Sequence, residues 1–214
     1  MIDVLRATVV PAGLVKRNLR SSDVLQALWE SFLGKCYLCE SLVRVGSFEV
    51  DHRVPVNHDA TREFDWTNLF PICDGCNKRR PKKHPEGGLL DPACGQSVEA
   101  KLEQRIVDRP GDERGPYFAA RDTVDRAAVN TAAELDHIHN DHAIKAADLR
   151  SAIMTHQGRV FRECLRYLNE PLMEQERQEV RERLRRLLSR RAPYTALTRA
   201  ELAALGPAIV ELFD

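Results

Sequence analysis

No apolar run in the sequence approaches the ~20 residues that a bilayer-spanning helix requires, so no membrane span is expected. Net charge is also missing. The 32 basic and 32 acidic side chains cancel, so contact with a polyanion has to rest on a local patch and not on the field of the whole chain. The opening MIDVLRATVVPAG is a short apolar stretch broken by Pro11 and Gly13, with neither a basic leader nor a cleavage site, and predicts no secretion signal. Internal repeats and low-complexity tracts are lacking too. What remains is a chain of 214 residues, 43% hydrophobic and 30% charged, which reads as a soluble globular protein of one domain or one and a half.

Six cysteines are unevenly spread. Cys36 and Cys39 form one C-x-x-C pair and Cys73 and Cys76 a second, while Cys94 and Cys164 stand alone as ordinary small apolar residues. Without a secretion signal, such pairs suggest a metal site more than disulfides, and a cytoplasmic location. Two bidentate thiolate claws make the ligand set of a closed tetrahedral Zn²⁺ with a structural role. A redox-active C-x-x-C is the competing reading; two pairs flanking one predicted β-hairpin favour zinc.

Ser21-Ser22-Asp23 can cap a helix carrying Leu25, Leu28, Trp29 and Phe32, with Gly34 as its stop. Residues 42–50 predict a β-hairpin that delivers Asp51 and His52 at the end of its second strand. Residues 53–72 predict loop, 73–80 a knuckle running into a short helix ended by Pro81, and 81–97 an extended connector. From residue 98 onward apolar stripes predict helices, among them Leu102 and Ile106, then Val124 to Ile138, then Leu149 to Leu168. Residues 172–191 form an amphipathic helix with Leu172, Val180, Leu184, Leu187 and Leu188 on one side, and 198–212 a last short one. The predicted class is α+β.

Between the knuckles lie Asp51-His52, Asn68-Leu69 and Asn77-Lys78, in an order and spacing that resemble the HNH endonuclease superfamily, the ββα-metal nucleases. The resemblance covers roughly residues 36–83. It implies metal-dependent hydrolysis of phosphodiester bonds in nucleic acid, DNA first. His52 is suited to general base because its ordinary pKa of ~6.5 leaves it mostly neutral near pH 7. The hard oxygens of Asp51 and Asn77 suit Mg²⁺ or Mn²⁺, which the family's equivalents hold, and Asn68 would orient the catalytic loop or its histidine. Lys78, Arg79, Arg80, Lys82 and Lys83 follow at once and would hold the phosphate backbone.

Residues 81–97 contain Leu89-Leu90-Asp91-Pro92, and with the helical tail they resemble more narrowly the nuclease subunits of Septu-type and retron-associated anti-phage systems. That likeness implies an ABC/SMC-type ATPase partner docked on the tail. The organisation then reads as an N-terminal segment and helix (1–35), a nuclease module (36–83), a connector (84–97) and a helical docking region (98–214). A stand-alone restriction or homing nuclease, and a zinc-stapled nucleic-acid-binding subunit without catalysis, are the competing functions. His137, His139 and His142 lie close enough in the chain for shared ligation, but without knuckles or asparagines around them.

Overall fold

The computed structural model describes residues 1–95, 97–109 and 113–214, with Glu113 as backbone only. The chain begins with helices α1 (Ala12–Val15) and α2 (Ser22–Ser31). Val24 and Leu28 turn inward from α2, and its end passes through Leu33 and Gly34, both at positive φ. Gly34 N–H donates to the Trp29 carbonyl at 2.8 Å, and a Cβ on Gly34 would meet the Trp29 indole at 3.1 Å. That geometry is why glycine closes this helix.

The first knuckle follows directly. Strand β1 (Glu49–His52) pairs antiparallel with β2 (Leu69–Ile72), setting Asp51 opposite Phe70 and His52 opposite Leu69. Helix α3 (Asp74–Arg79) starts from Cys73. The expected hairpin within 42–50 is therefore corrected: β1 takes its partner from 69–72, inside the segment expected to be loop. Leu42 and Val45 are 60% and 44% exposed, so residues 42–45 have little apolar surface to bury by pairing, while Leu69, Phe70 and Ile72 are fully buried. Two short 3₁₀ turns occupy the intervening chain, Ala60–Arg62 and Trp66–Asn68.

Beyond the module, α4 (Val98–Lys101) leads into strands β3 (Leu102–Arg109) and β4 (Glu113–Ala120), which pair antiparallel. The helical expectation for Leu102 and Ile106 is thus overturned. Four residues apart, two apolar side chains share a face of either a helix or a strand, so that spacing alone could not decide. Strand β3 in fact buries Leu102, Gln104 and Ile106 in alternation.

Four further helices complete the chain, α5 (Arg126–Asn140), α6 (Ile144–Asn169), α7 (Glu174–Leu188) and α8 (Thr195–Leu202), before a last turn, α9 (Pro207–Val210). The α+β class is borne out. The main core joins Val24, Leu28, Phe70 and Ile72 to Leu102, Leu135 and Ile153, and so draws on both sides of residue 98. A smaller core holds Val160, Cys164, Val180, Leu184 and Leu188. The connector is packed and not extended: Leu90 is buried and its N–H donates to Thr131 at 2.8 Å.

Two interior groups make stability sensitive to acid. Burial would raise the Glu40 carboxyl, but the Met1 ammonium at 2.8 Å and Lys35 at 3.3 Å outweigh it and hold the pKa to about 2. His139 packs on Phe118, Nδ1 bonds the Leu135 carbonyl at 2.7 Å, and burial lowers its pKa to about 4. An unfolded histidine titrates near ~6.5. Its contribution is complete above that pH and fades as pH falls toward 4, because only the unfolded chain takes up the proton. Urea unfolding should show about 2 kcal/mol less stability at pH 5 than at pH 7.5 from this group, and His139→Phe should flatten that slope.

Candidate functional site

The sulfurs of Cys36, Cys39, Cys73 and Cys76 lie within 4.8 Å of one another, so the four could hold one metal ion. The Cys39 and Cys73 sulfurs are 3.8 Å apart. A tetrahedron with metal–sulfur bonds of ~2.3 Å places its sulfurs roughly 3.8 Å apart, so the donor set and its size fit structural zinc. Burial pushes the Cys36 thiol far up, while hydrogen bonding with Cys36, Cys39 and Cys76 pushes Cys73 down. A buried dication would allow all four to ionise.

His52 stands at the end of β1. Its Nε2 lies 2.8 Å from the Glu63 carbonyl, which can only accept, so the proton sits on Nε2 and Nδ1 keeps its lone pair. Asp51, the residue before it, is gripped from behind. Its Oδ2 accepts from Tyr37 Oη at 2.7 Å and from Arg80 Nη1, and no group of the described residues donates to Oδ1. Asn68 is fully buried; Nδ2 donates to the carbonyls of Val54 (2.9 Å) and Arg62 (3.2 Å), and Oδ1 accepts from the Val54 N–H at 2.8 Å. It ties Val54 to Arg62, the residue before Glu63, and makes no hydrogen bond to His52. Asn77 lies exposed on α3 and lines a cleft of about 330 Å³ with Asp51, His52, Asn57, Arg80 and Lys82.

Residues 36–83 match the family model described as HNH endonuclease. This segment of the chain is therefore similar to an HNH endonuclease domain. No curated protein and no solved structure matches the chain.

Within this HNH domain the five cations expected as a phosphate patch part company. Arg80 is 8% exposed and turned inward, bonding Glu134 at 3.1 Å, the His52 carbonyl at 2.9 Å and the Arg53 carbonyl at 2.8 Å as well as Asp51. It is an internal brace and not a surface cation. Arg79 donates to the Ile138 carbonyl at 3.0 Å, and Lys78 pairs with Asp74 at 2.7 Å. Lys82 and Lys83 alone are exposed without such partners, and they line a second cavity of about 630 Å³ with Asn57, His58 and His84. The two cavities share Asn57 and Lys82, so one groove runs away from the HNH cleft. The His58 and His84 rings lie 4.9 Å apart, and burial, then His58, lowers the His84 pKa.

Sequence reasoning missed the brace behind Asp51. Burial opposes the Arg80 charge, but Tyr37, Asp51 and Glu134 more than offset it and raise its pKa; burial raises that of Glu134. With both carboxylates ionised the trio of Asp51, Glu134 and Arg80 carries one net negative charge, which still favours a cation at the cleft. Arg80→Ala would strand both carboxylates, and a loss of about 3–5 kcal/mol in urea unfolding is expected. A change under about 1 kcal/mol would show that the brace is not structural. The three histidines near residue 140 diverge: His139 is buried while His137 and His142 are exposed, so they share no site. Cys94 is exposed, contrary to its reading as an apolar filler, and Cys164 is buried as expected.

Proposed function

We propose that the chain is a divalent-metal-dependent endonuclease that hydrolyses phosphodiester bonds of DNA, with His52 as general base. One observation carries the reading. The Glu63 carbonyl holds the proton on His52 Nε2, leaving Nδ1 as the basic atom of a residue that lines the same cleft as Asp51 and Asn77. Nδ1 would take the proton from the attacking water, and the Glu63 carbonyl would steady the imidazolium that results.

Asp51 Oδ1 and Asn77 would hold the catalytic ion, Mg²⁺ or Mn²⁺, with waters completing its shell. When bound, the ion supplies positive charge to the phosphate and the leaving oxygen. Arg80 and Tyr37 keep Asp51 turned toward the cleft, and Asn68 keeps the Glu63 loop in place. Lys82, which lines both cavities, and Lys83, which lines the second, would track the backbone beyond the scissile bond. The test is incubation with plasmid, single-stranded DNA and RNA, with Mg²⁺ or Mn²⁺ and with EDTA. Metal-dependent nicking of plasmid is expected; binding without cleavage under every condition would favour the non-catalytic subunit.

The narrower reading, an effector nuclease of an anti-phage complex in the cytoplasm with an ATPase partner, rests on the resemblance of the connector and helical tail, and would use one surface feature for docking. Phe161, Leu165 and Leu168 leave a partly exposed apolar stripe along α6, at 44%, 39% and 37%. Recovery of the chain alone from its native host under mild conditions would count against it, and sequence-specific cutting by the isolated chain would favour a restriction or homing role.

A further inference from the structure

A second basic cavity lies outside the HNH cleft and shares no lining residue with it. It is bounded by α6, α7 and the 189–193 turn, has a volume of about 390 Å³, and is lined by Leu42, His156, Arg159, Arg183, Arg186 and Arg191 among others. Arg183 is neutralised by Glu163 at 3.2 Å. Arg159, Arg186 and Arg191 have no acidic or hydrogen-bonding partner among the described residues. His156 faces the same space; its Nε2 is buried with no hydrogen-bond partner, and its ring meets the edge of Tyr194 at 5.8 Å.

In a chain of zero net charge, three guanidinium groups without an acidic partner around one hollow are a local positive excess that favours an anion. A guanidinium fork bonds two phosphate oxygens at once, and several forks converging on one hollow suit more negative charge than a single carboxylate brings. Leu42, 60% exposed, adds an apolar wall on which a sugar or base can rest. We propose that this cavity binds the phosphates of a nucleotide unit, presented either by a nucleic-acid backbone or by a free nucleotide.

The test uses the full zinc-loaded chain without added Mg²⁺ or Mn²⁺, with adenosine triphosphate and a short single-stranded oligonucleotide as probes. Affinities are measured for the natural protein and for Arg159→Gln/Arg186→Gln, whose side chains are exposed and unpaired, so the fold should hold; a melting curve verifies this. If a backbone is the source, oligonucleotide affinity falls roughly tenfold or more and its salt dependence flattens by about two phosphate contacts. If a free nucleotide is the source, triphosphate binding is lost and the oligonucleotide affinity stays. Equal binding of both probes by both proteins, or no binding of either by the natural protein, overturns the proposal. Metal-dependent plasmid nicking is read separately on the natural protein, so failure of the cavity and failure of the nuclease reading give different results.

Discussion

His52→Ala should lower metal-dependent cleavage by about 10²–10⁴-fold, the range a positioned base contributes, while leaving the zinc content unchanged. The substitution removes the one group of the cleft whose basic nitrogen is set by a fixed partner, the Glu63 carbonyl at 2.8 Å. Its cost to the fold is confined to that hydrogen bond, about 1 kcal/mol. Activity and stability should therefore separate cleanly. Asn68→Ala should behave in the opposite sense. It leaves the carbonyl and the N–H of Val54 unpartnered in a buried place, while the Arg62 carbonyl keeps the Asp65 N–H at 3.3 Å, so stability falls by a few kcal/mol, roughly 1–3 for each stranded group. Nicking assays beside urea unfolding curves distinguish the two. Cleavage by His52→Ala within tenfold of the natural protein would remove His52 from the mechanism.

Loss of the cysteine-bound metal should have the largest effect on stability. Structural zinc in small modules contributes on the order of 10 kcal/mol of apparent folding free energy. Here the sulfurs also anchor the elements that aim the cleft. Tyr37, between the first two cysteines, donates its N–H to the Pro71 carbonyl of β2 and its hydroxyl to Asp51. Cys73 and Cys76 start α3, which carries Asn77. Cys76→Ser, or a chelator strong enough to extract zinc, should lower the melting temperature sharply and abolish cleavage, with no rescue by Mg²⁺. Mild EDTA should remove only the exchangeable ion, and added Mg²⁺ should restore activity. A zinc-free protein that melts and cuts like the natural one would refute a structural metal.

The consequences of the zinc loss should not stop at residue 83, because the main core is continuous across the chain. Arg79 and Arg80 of the knuckle reach Ile138 and Glu134 of α5, and Lys35 reaches the Ala192 carbonyl and Thr195. The helical half is thus part of what positions the candidate site.

Much of that site was legible in the residues alone. The two C-x-x-C pairs, Asp51-His52, Asn68 and Asn77 carry their meaning in type and order, and short-range helix signals around Ser22 and after Cys73 are properties of neighbouring residues. What the pattern could not supply was partnership across distance. Nothing local marks 69–72 as the partner of β1, or separates a strand from a helix when Leu102 and Ile106 stand four apart. Arg80 sits in a run of cations and only the arrival of Glu134 from α5 turns it inward. Which nitrogen of His52 is tied up is set by a backbone carbonyl, a group every residue possesses, so only the tertiary structure could choose it. The nuclease motif belongs to the sequence; the brace behind Asp51, the tautomer of His52 and the groove leading past Lys82 belong to the packing, because each is made by side chains and carbonyls that meet only once the chain has folded.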